Sequence, residues 1–443
     1  MTPADERQSG PRPLVLAAGI VAIEFAAAVT GFVASTLLPV VTGELAAQNA
    51  LALLIAGSTL GLFVALPLAS RVLHRLGAHG TLTLGMCAYL GGLALAATAR
   101  TAWMFAVGQF STGLASGLLA VFGVGSAIRH LDERLRLRVV AASSAMWILP
   151  ALAGPAATLG LERLVGWRWT LLVPVPFVLF GRLLVVRAVR AEPPAPAAHR
   201  PLGRTLLIPL GAAGVVLSSG WWPLVIVGAG TALVGMVAVL PAGTARLQRG
   251  TPAALGAMTL FAVGYFGADS LITVLLTAGY RVSLGEAAII LSAAPLGWAV
   301  TSLLLTRFTG THFPATGLSM TALGTTVLAA DLAAGRSFVV ALVAWTVAGI
   351  GVGFAYPGLY VRATTAGTSG FTATELATAV ITAECTGQLL GRAVGGALSS
   401  AGDDGGLFAS YLVFGAVLVA SVIAAGRTSA DEQGQPPPLP APG

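Results

Sequence analysis

The sequence predicts an all-α polytopic membrane protein, and three observations carry that prediction. Apolar residues make up 56% of the 443 and charged residues only 9%, which leaves too little polar surface to coat a soluble globule of this size. Mean hydropathy is +0.87. Apolar runs bounded by Gly, Pro or charge recur along the whole chain, and nearly all are long enough to cross a hydrocarbon core of roughly 30 Å as a helix.

The runs fall at about 14 to 40, 50 to 70, 80 to 99, 102 to 127, 139 to 161 and 169 to 188. A polar, Pro-rich stretch with several arginines follows, and residues 191–204 read as a linker. Further runs cover 205 to 219, 221 to 240, 253 to 277, 284 to 306, 313 to 334, 337 to 359, 372 to 400 and 407 to 425. The expected total is fourteen spans.

The pair at 205–240 is short for two crossings, and charge decides it. All basic residues are Arg. With fourteen spans and residues 1–13 in the cytoplasm, most arginines sit in cytoplasmic segments, while Arg100, Arg163, Arg168, Arg281 and Arg336 lie outside. A single crossing at 205–240 would move Arg246, Arg249, Arg307, Arg362 and Arg427 outside, against the positive-inside bias. A re-entrant hairpin would leave the same charge pattern. The net charge of +7 thus reads as loop anchoring, not as nucleic-acid binding.

Cys87 and Cys385 fall inside apolar runs and read as reduced packing residues. No cleaved signal is expected, and residues 427–443 read as a disordered Pro-rich cytoplasmic tail. The five His lie in loops, and neither a nucleophile-base pattern nor a Walker-type glycine loop occurs, so no enzyme and no cofactor is expected.

Several stretches resemble motifs of the major facilitator superfamily. LPALAGPAATLG followed by GWRWTLLVPVP resembles its antiporter motif and the external turn after it, with Gly154 and Pro155 at the centre. SRVLHRLGAHG resembles the family's loop motif: Arg75 and Gly77 match, while His74 stands where the family has Asp. In the fourth run Gly113 matches, and Gln109 replaces the Arg often assigned to proton transfer. VTGFVASTLLP resembles the first-span signature of the fourteen-span drug/proton antiporters of actinobacterial type, with Pro39 matched and Thr30 in place of the acid.

The resemblance implies the major facilitator fold: two six-helix bundles, here 14–190 and 253–426, plus a two-helix insert at 205–240. It implies a monomeric multi-pass protein of the plasma membrane that binds a small molecule and protons, with both termini cytoplasmic. Gly387, Gly391 and Gly395 recur every four residues and read as a helix-packing stripe.

Ionisable groups at membrane depth cost several kcal/mol unless they face water or a partner, so they point to function. Asp269, Glu24 and Glu384 are the candidate proton-coupling or cavity acids. Arg392 lies eight residues after Glu384, on the same helical face with Gln388 between, and the bland reading is a neutralising internal pair. Gln109, Gln388, Arg392, Trp147 and Tyr265 are candidate cavity residues; each aromatic can equally be packed or lipid-facing. The expected function is proton-coupled export of lipophilic or cationic small molecules. The alternatives are a proton-independent facilitator or lipid-like transporter, and a non-transporting scaffold or sensor.

Overall fold

The computed structural model describes residues 13–47, 51–146, 148–188, 202–218, 221–305, 313–365, 371–399 and 404–428. Residues 1–12, expected in the cytoplasm, most of the linker, most of the tail and Trp147 lie outside these residues. Among the described residues no strand occurs.

The helices in order are α1 (Pro13–Glu44), α2 (Leu51–Ala97), α3 (Ala102–His130), α4 (Glu133–Met146), α5 (Ile148–Val165), α6 (Trp167–Thr170), α7 (Val175–Ala188), α8 (Leu202–Thr205), α9 (Leu207–Val216) and α10 (Trp222–Val239). Then come α11 (Thr251–Phe261), α12 (Gly267–Val274), α13 (Leu284–Leu305), α14 (Phe313–Ala334), α15 (Phe338–Ala363), α16 (Ala373–Ser399) and α17 (Asp404–Gly426). Two π-helical turns, Ala262–Phe266 and Leu275–Gly279, flank α12, so 251–279 is one long rod. Ten helices among the described residues are long and apolar enough to cross a membrane.

Two runs that the sequence separates, 50 to 70 and 80 to 99, form the single element α2, broken in dihedral terms only at Gly77, whose φ of 66° suits a residue without Cβ. The chain folds this way because apolar stripes are nearly continuous around each helix, and the surface they leave outside is lipid-like. Leu210, Ile226, Val234, Leu323 and Val339 are each at least 56% exposed. Trp103, Trp169, Trp221 and Trp222 are exposed at the ends of α3, α6 and α10 opposite the arginine-rich loops, an aromatic girdle at one interface.

The helices pack in two groups. α1 packs on α4, α5 and α7, and α2 on α3; α13 and α14 pack on α15, α14 on α17, and α11 on α16 and α17. α9 and α10 form a hairpin that rests on α2 through α9 and on α16 through both. Small residues set the close distances. A Cβ on Gly349 would lie 2.2 Å from the Ala294 carbonyl oxygen, one on Gly353 2.5 Å from that of Trp298, and one on Gly351 2.5 Å from that of Gly317, so α15 is pressed against α13 and α14. Pro357 in α15 frees the Gly353 carbonyl, which accepts from the Ser302 hydroxyl at 3.4 Å.

The glycine stripe of α16 is likewise a packing surface: a Cβ on Gly387 would meet Thr259 O at 2.7 Å, and one on Gly391 would meet Val263 O at 2.4 Å. Gly154 is different. A Cβ there would lie 3.4 Å from Phe32 of α1, which is ordinary contact.

The two groups touch at the arginine-rich end. There Gly125 of α3 faces Ala373 and Ala377 of α16, and Arg136 of α4 donates from Nη2 to Thr365 Oγ1 at 3.0 Å, just past α15. At the opposite end Glu44 closes the first group. It accepts from the Trp167 indole and pairs with Arg168, whose guanidinium stacks over the Trp167 ring at 4.3 Å and also donates to Ala99 O at 3.0 Å. Of the two Trp in this turn, Trp169 is exposed, whereas Trp167 is buried with Glu44 supplying its indole with an acceptor.

Candidate functional site

The polar groups at membrane depth gather around one aromatic layer. The π turn at Ala262–Phe266 carries Tyr265 and Phe266; each π turn takes one residue more than an α turn and so resets the face that follows. Tyr265 is buried, stacked on Trp345 of α15 at 5.6 Å and edge-on to Trp298 of α13 at 6.1 Å. Trp298 in turn lies edge-on to Tyr356 of α15 at 5.5 Å, and Tyr356 reaches Tyr360 one turn on at 5.7 Å. The indole Nε1 of Trp298 is buried with no hydrogen-bond partner. Such an orphan donor forfeits about 1–3 kcal/mol.

Glu384 of α16 borders this layer. Its carboxylate accepts from the Tyr356 hydroxyl at 3.1 Å. Glu24, from α1 in the other group, lies within electrostatic reach of Glu384, Tyr356 and Tyr360. Tyr360 is also within reach of Arg136, the residue that bonds Thr365 between the two groups. A line of polar side chains thus runs from the contact between the groups to the aromatic layer.

Asp269 stands on α12 one turn beyond Tyr265, and its side chain is accessible. Arg392 is accessible too and lies within electrostatic reach of Asp269. The neutralising pair expected within α16 is not formed. Eight residues span roughly 12 Å of helix, and Glu384 takes its hydrogen bond from Tyr356 instead.

The structure therefore brings Glu24, Tyr265, Asp269, Glu384 and Arg392 to one region, with Gln388 half-buried on the α16 face between the last two. It places Gln109 elsewhere, in the seam between α2 and α3, where the Gln109 Cβ lies 3.0 Å from the Cβ that Gly57 lacks. Gln109 is buried with its Nε2 unpartnered. Thr30 is occupied locally, bonded to Ala26 O at 2.7 Å and to the Tyr89 hydroxyl. His74, Arg75 and Gly77 lie at the bend of α2, and Pro155 continues helix α5 beside Gly154. Cys87 is exposed on α2 and Cys385 half-buried on α16, both free, so only the second packs as the sequence suggests.

Two features escape sequence reasoning. Arg136 is one of several arginines between 129 and 138, and nothing local marks it as the buried one. The Glu44 clamp joins residues more than 120 positions apart.

Apolar helices of membrane length in two groups, with acidic and aromatic side chains gathered within those lengths, have the character of a helical membrane transporter. The sequence matches the Major Facilitator Superfamily over residues 20–366, and the chain belongs to that family. It is 29% identical over 229 residues to a "Probable multidrug-efflux transporter" of Mycobacterium tuberculosis, covering 52% of this chain and 45% of that protein. It is 26% identical over 215 residues to the "Acurin A biosynthesis cluster MFS-type transporter" of Aspergillus aculeatus, covering 47% of this chain and 38% of that one. The aligned region thus spans less than half the length of these relatives.

Among solved structures, the human organic anion transporter MFSD10 superposes with a TM-score of 0.72 at 13% identity, covering 94% of this chain and all of that one. The Escherichia coli fucose:proton symporter superposes with a TM-score of 0.63 at 15% identity, covering 94% of this chain and 99% of that one. At these identities the likeness is one of fold.

Proposed function

We propose that this protein is a secondary active transporter that exports lipophilic or cationic small molecules in exchange for protons by alternating access. The observation that carries the reading is Glu384, hydrogen-bonded to Tyr356 in the aromatic layer and within electrostatic reach of Glu24 on α1. A carboxylate at membrane depth holds either a proton or an organic cation, because the neutral acid has no charge to offer the cation. Binding of one then excludes the other, and that exclusion is antiport. The aromatic faces supply cation-π and stacking contact. The name of the mycobacterial relative supports drug-like cargo.

In this reading the chain crosses the membrane fourteen times. α2 counts as two spans, α4 with α5 and α6 with α7 as one each, 251–279 as one, and the hairpin α9–α10 as the insert between bundles 14–190 and 253–426. The protein is a monomer of the plasma membrane with cytoplasmic termini, and the closed arginine-rich end is the cytoplasmic gate.

The test is uptake of tetraphenylphosphonium into inverted vesicles with and without an imposed proton gradient, for the wild type, Glu384→Gln and Asp269→Asn. Gradient-driven uptake that the substitutions abolish is the expected result. Uptake indifferent to the gradient sinks the antiport step and leaves a facilitator, the reading favoured by the neutral Thr30 and Gln109 at positions where the family carries charge.

A further inference from the structure

We infer that Asp269 and Arg392 together form a bipolar recognition site for an amphoteric aromatic molecule, its cationic group held by Asp269 and its anionic group by Arg392. The inference rests on the transporter reading and goes beyond it, because a site for simple cations has no use for an accessible arginine.

The helices that carry the two residues are pressed together: a Cβ on Gly391 would lie 2.9 Å from Gly267 Cα. Both side chains are accessible, and neither takes part in a hydrogen bond or ion pair among the described residues. Yet the two stand within electrostatic reach of each other. Opposite charges that stand near each other at membrane depth without closing into a pair leave room for groups between them, and each retains its unmet demand. The demands are complementary to a zwitterion. The nearest aromatic side chain that is not fully buried is Phe266, three residues before Asp269, which meets Tyr265 at 5.4 Å and Trp298 at 6.4 Å. Gln388, one turn before Arg392, offers a neutral amide on the same face.

A zwitterionic phospholipid headgroup has the same pair of charges, but the adjoining aromatic layer favours a small planar molecule.

The experiment is equilibrium binding to the purified full chain of two probes: norfloxacin, a planar zwitterion with ammonium and carboxylate, and tetraphenylphosphonium, a cation alone. Arg392→Gln is expected to weaken norfloxacin by at least about tenfold and to leave tetraphenylphosphonium unchanged or tighter, since a repelling charge is gone. Arg392→Lys restores most of the loss, and Asp269→Asn weakens both probes. Retained tetraphenylphosphonium binding shows that the Arg392 variants are folded, and a thermal midpoint within a degree or two of wild type shows it for Asp269→Asn. If Arg392→Gln moves both probes by the same factor, or leaves norfloxacin alone, the inference is overturned. If the wild type binds tetraphenylphosphonium but not norfloxacin, the inference falls and the transporter reading stands; if it binds neither, the proposed cargo class falls and takes the inference with it. Dihexanoyl phosphatidylethanolamine as competitor separates the sources. Displacement of norfloxacin that is lost in Arg392→Gln assigns the same bipolar site to a headgroup, and absence of displacement assigns it to the small aromatic.

Discussion

Replacing Gly349 by Ala tests the claim that backbone contact between α13 and α15 holds the aromatic layer in place. The added Cβ would lie 2.2 Å from the Ala294 carbonyl oxygen, 2.5 Å from its Cα and 2.7 Å from its carbonyl carbon, where ordinary contact begins at 3.4 Å. All three obstacles are backbone, so no side chain can swing away, and the helices must part by about 1 Å. Overpacking of this kind costs about 1–3 kcal/mol, and helix propensity returns at most about 1 kcal/mol of it. Gly154→Ala is the internal control. Its Cβ would meet Phe32 at 3.4 Å, so the propensity gain stands almost alone. The two variants therefore differ by about 2 kcal/mol, which for a chain of this size is a few degrees in thermal midpoint measured in one detergent. Because Ala294 lies one turn before Trp298, Gly349→Ala also weakens tetraphenylphosphonium binding, whereas Gly154→Ala does not. If Gly349→Ala melts at or above Gly154→Ala, close packing of α13 and α15 does not position the site and the argument fails.

Three further outcomes are expected. At the clamp between α1 and α6, donation from Arg168 and then from Trp167 holds the Glu44 carboxyl below its usual range. A carboxyl depressed in the folded state stabilises above its unfolded value and loses that contribution as pH falls through the folded one. Glu44→Gln therefore costs about 0.5 kcal/mol near neutrality, small because the pair is 39% and 47% exposed, and the difference from wild type fades in melting curves as pH falls below the ordinary carboxylate range. Arg136→Ala removes the bond to Thr365 that joins the groups; with Cys87 and Cys385 replaced by Ser, maleimide labelling of Thr374→Cys in α16, beside Gly125, is expected to quicken several-fold, and an unchanged rate would show that Arg136 does not hold this end shut. Tyr356→Phe deletes the donor to Glu384 and leaves the ring in its layer, so the thermal midpoint stays within a degree or two while gradient-driven uptake falls several-fold; a drop in midpoint with unchanged uptake would make the bond structural.

Much of this molecule is legible in the chain before it folds. Apolar runs of membrane length give the helices, and the acids and Arg392 inside those runs are what single out a candidate site, because a charge at that depth is rarely idle. The GxxxGxxxG spacing from Gly387 correctly marks a helix-packing face. The failures have physical causes. Arg392 and Glu384 share a helical face, which suggests a pair, but rise along the axis keeps them apart and each turns to another helix. Gln109 has the family's cavity position and lies instead in the α2–α3 seam. Its neighbour there, Gly57, lies on α2, and sequence periodicity within α3 says nothing of that.

The sequence by itself determined that the chain is helical, membrane-embedded and related to one transporter superfamily, since hydrophobic length and motif residues are local properties. Only the tertiary structure decided which polar groups meet. Tyr356 reaches Glu384 because α15 and α16 converge, Asp269 follows Tyr265 around a π turn, and Arg136 alone among its neighbours is turned inward to Thr365. The physical reason is that nearly every helix here is apolar on all sides, so its own pattern does not say which face goes in. That choice is made by where glycines let backbones approach and by which polar atoms find partners once they have done so.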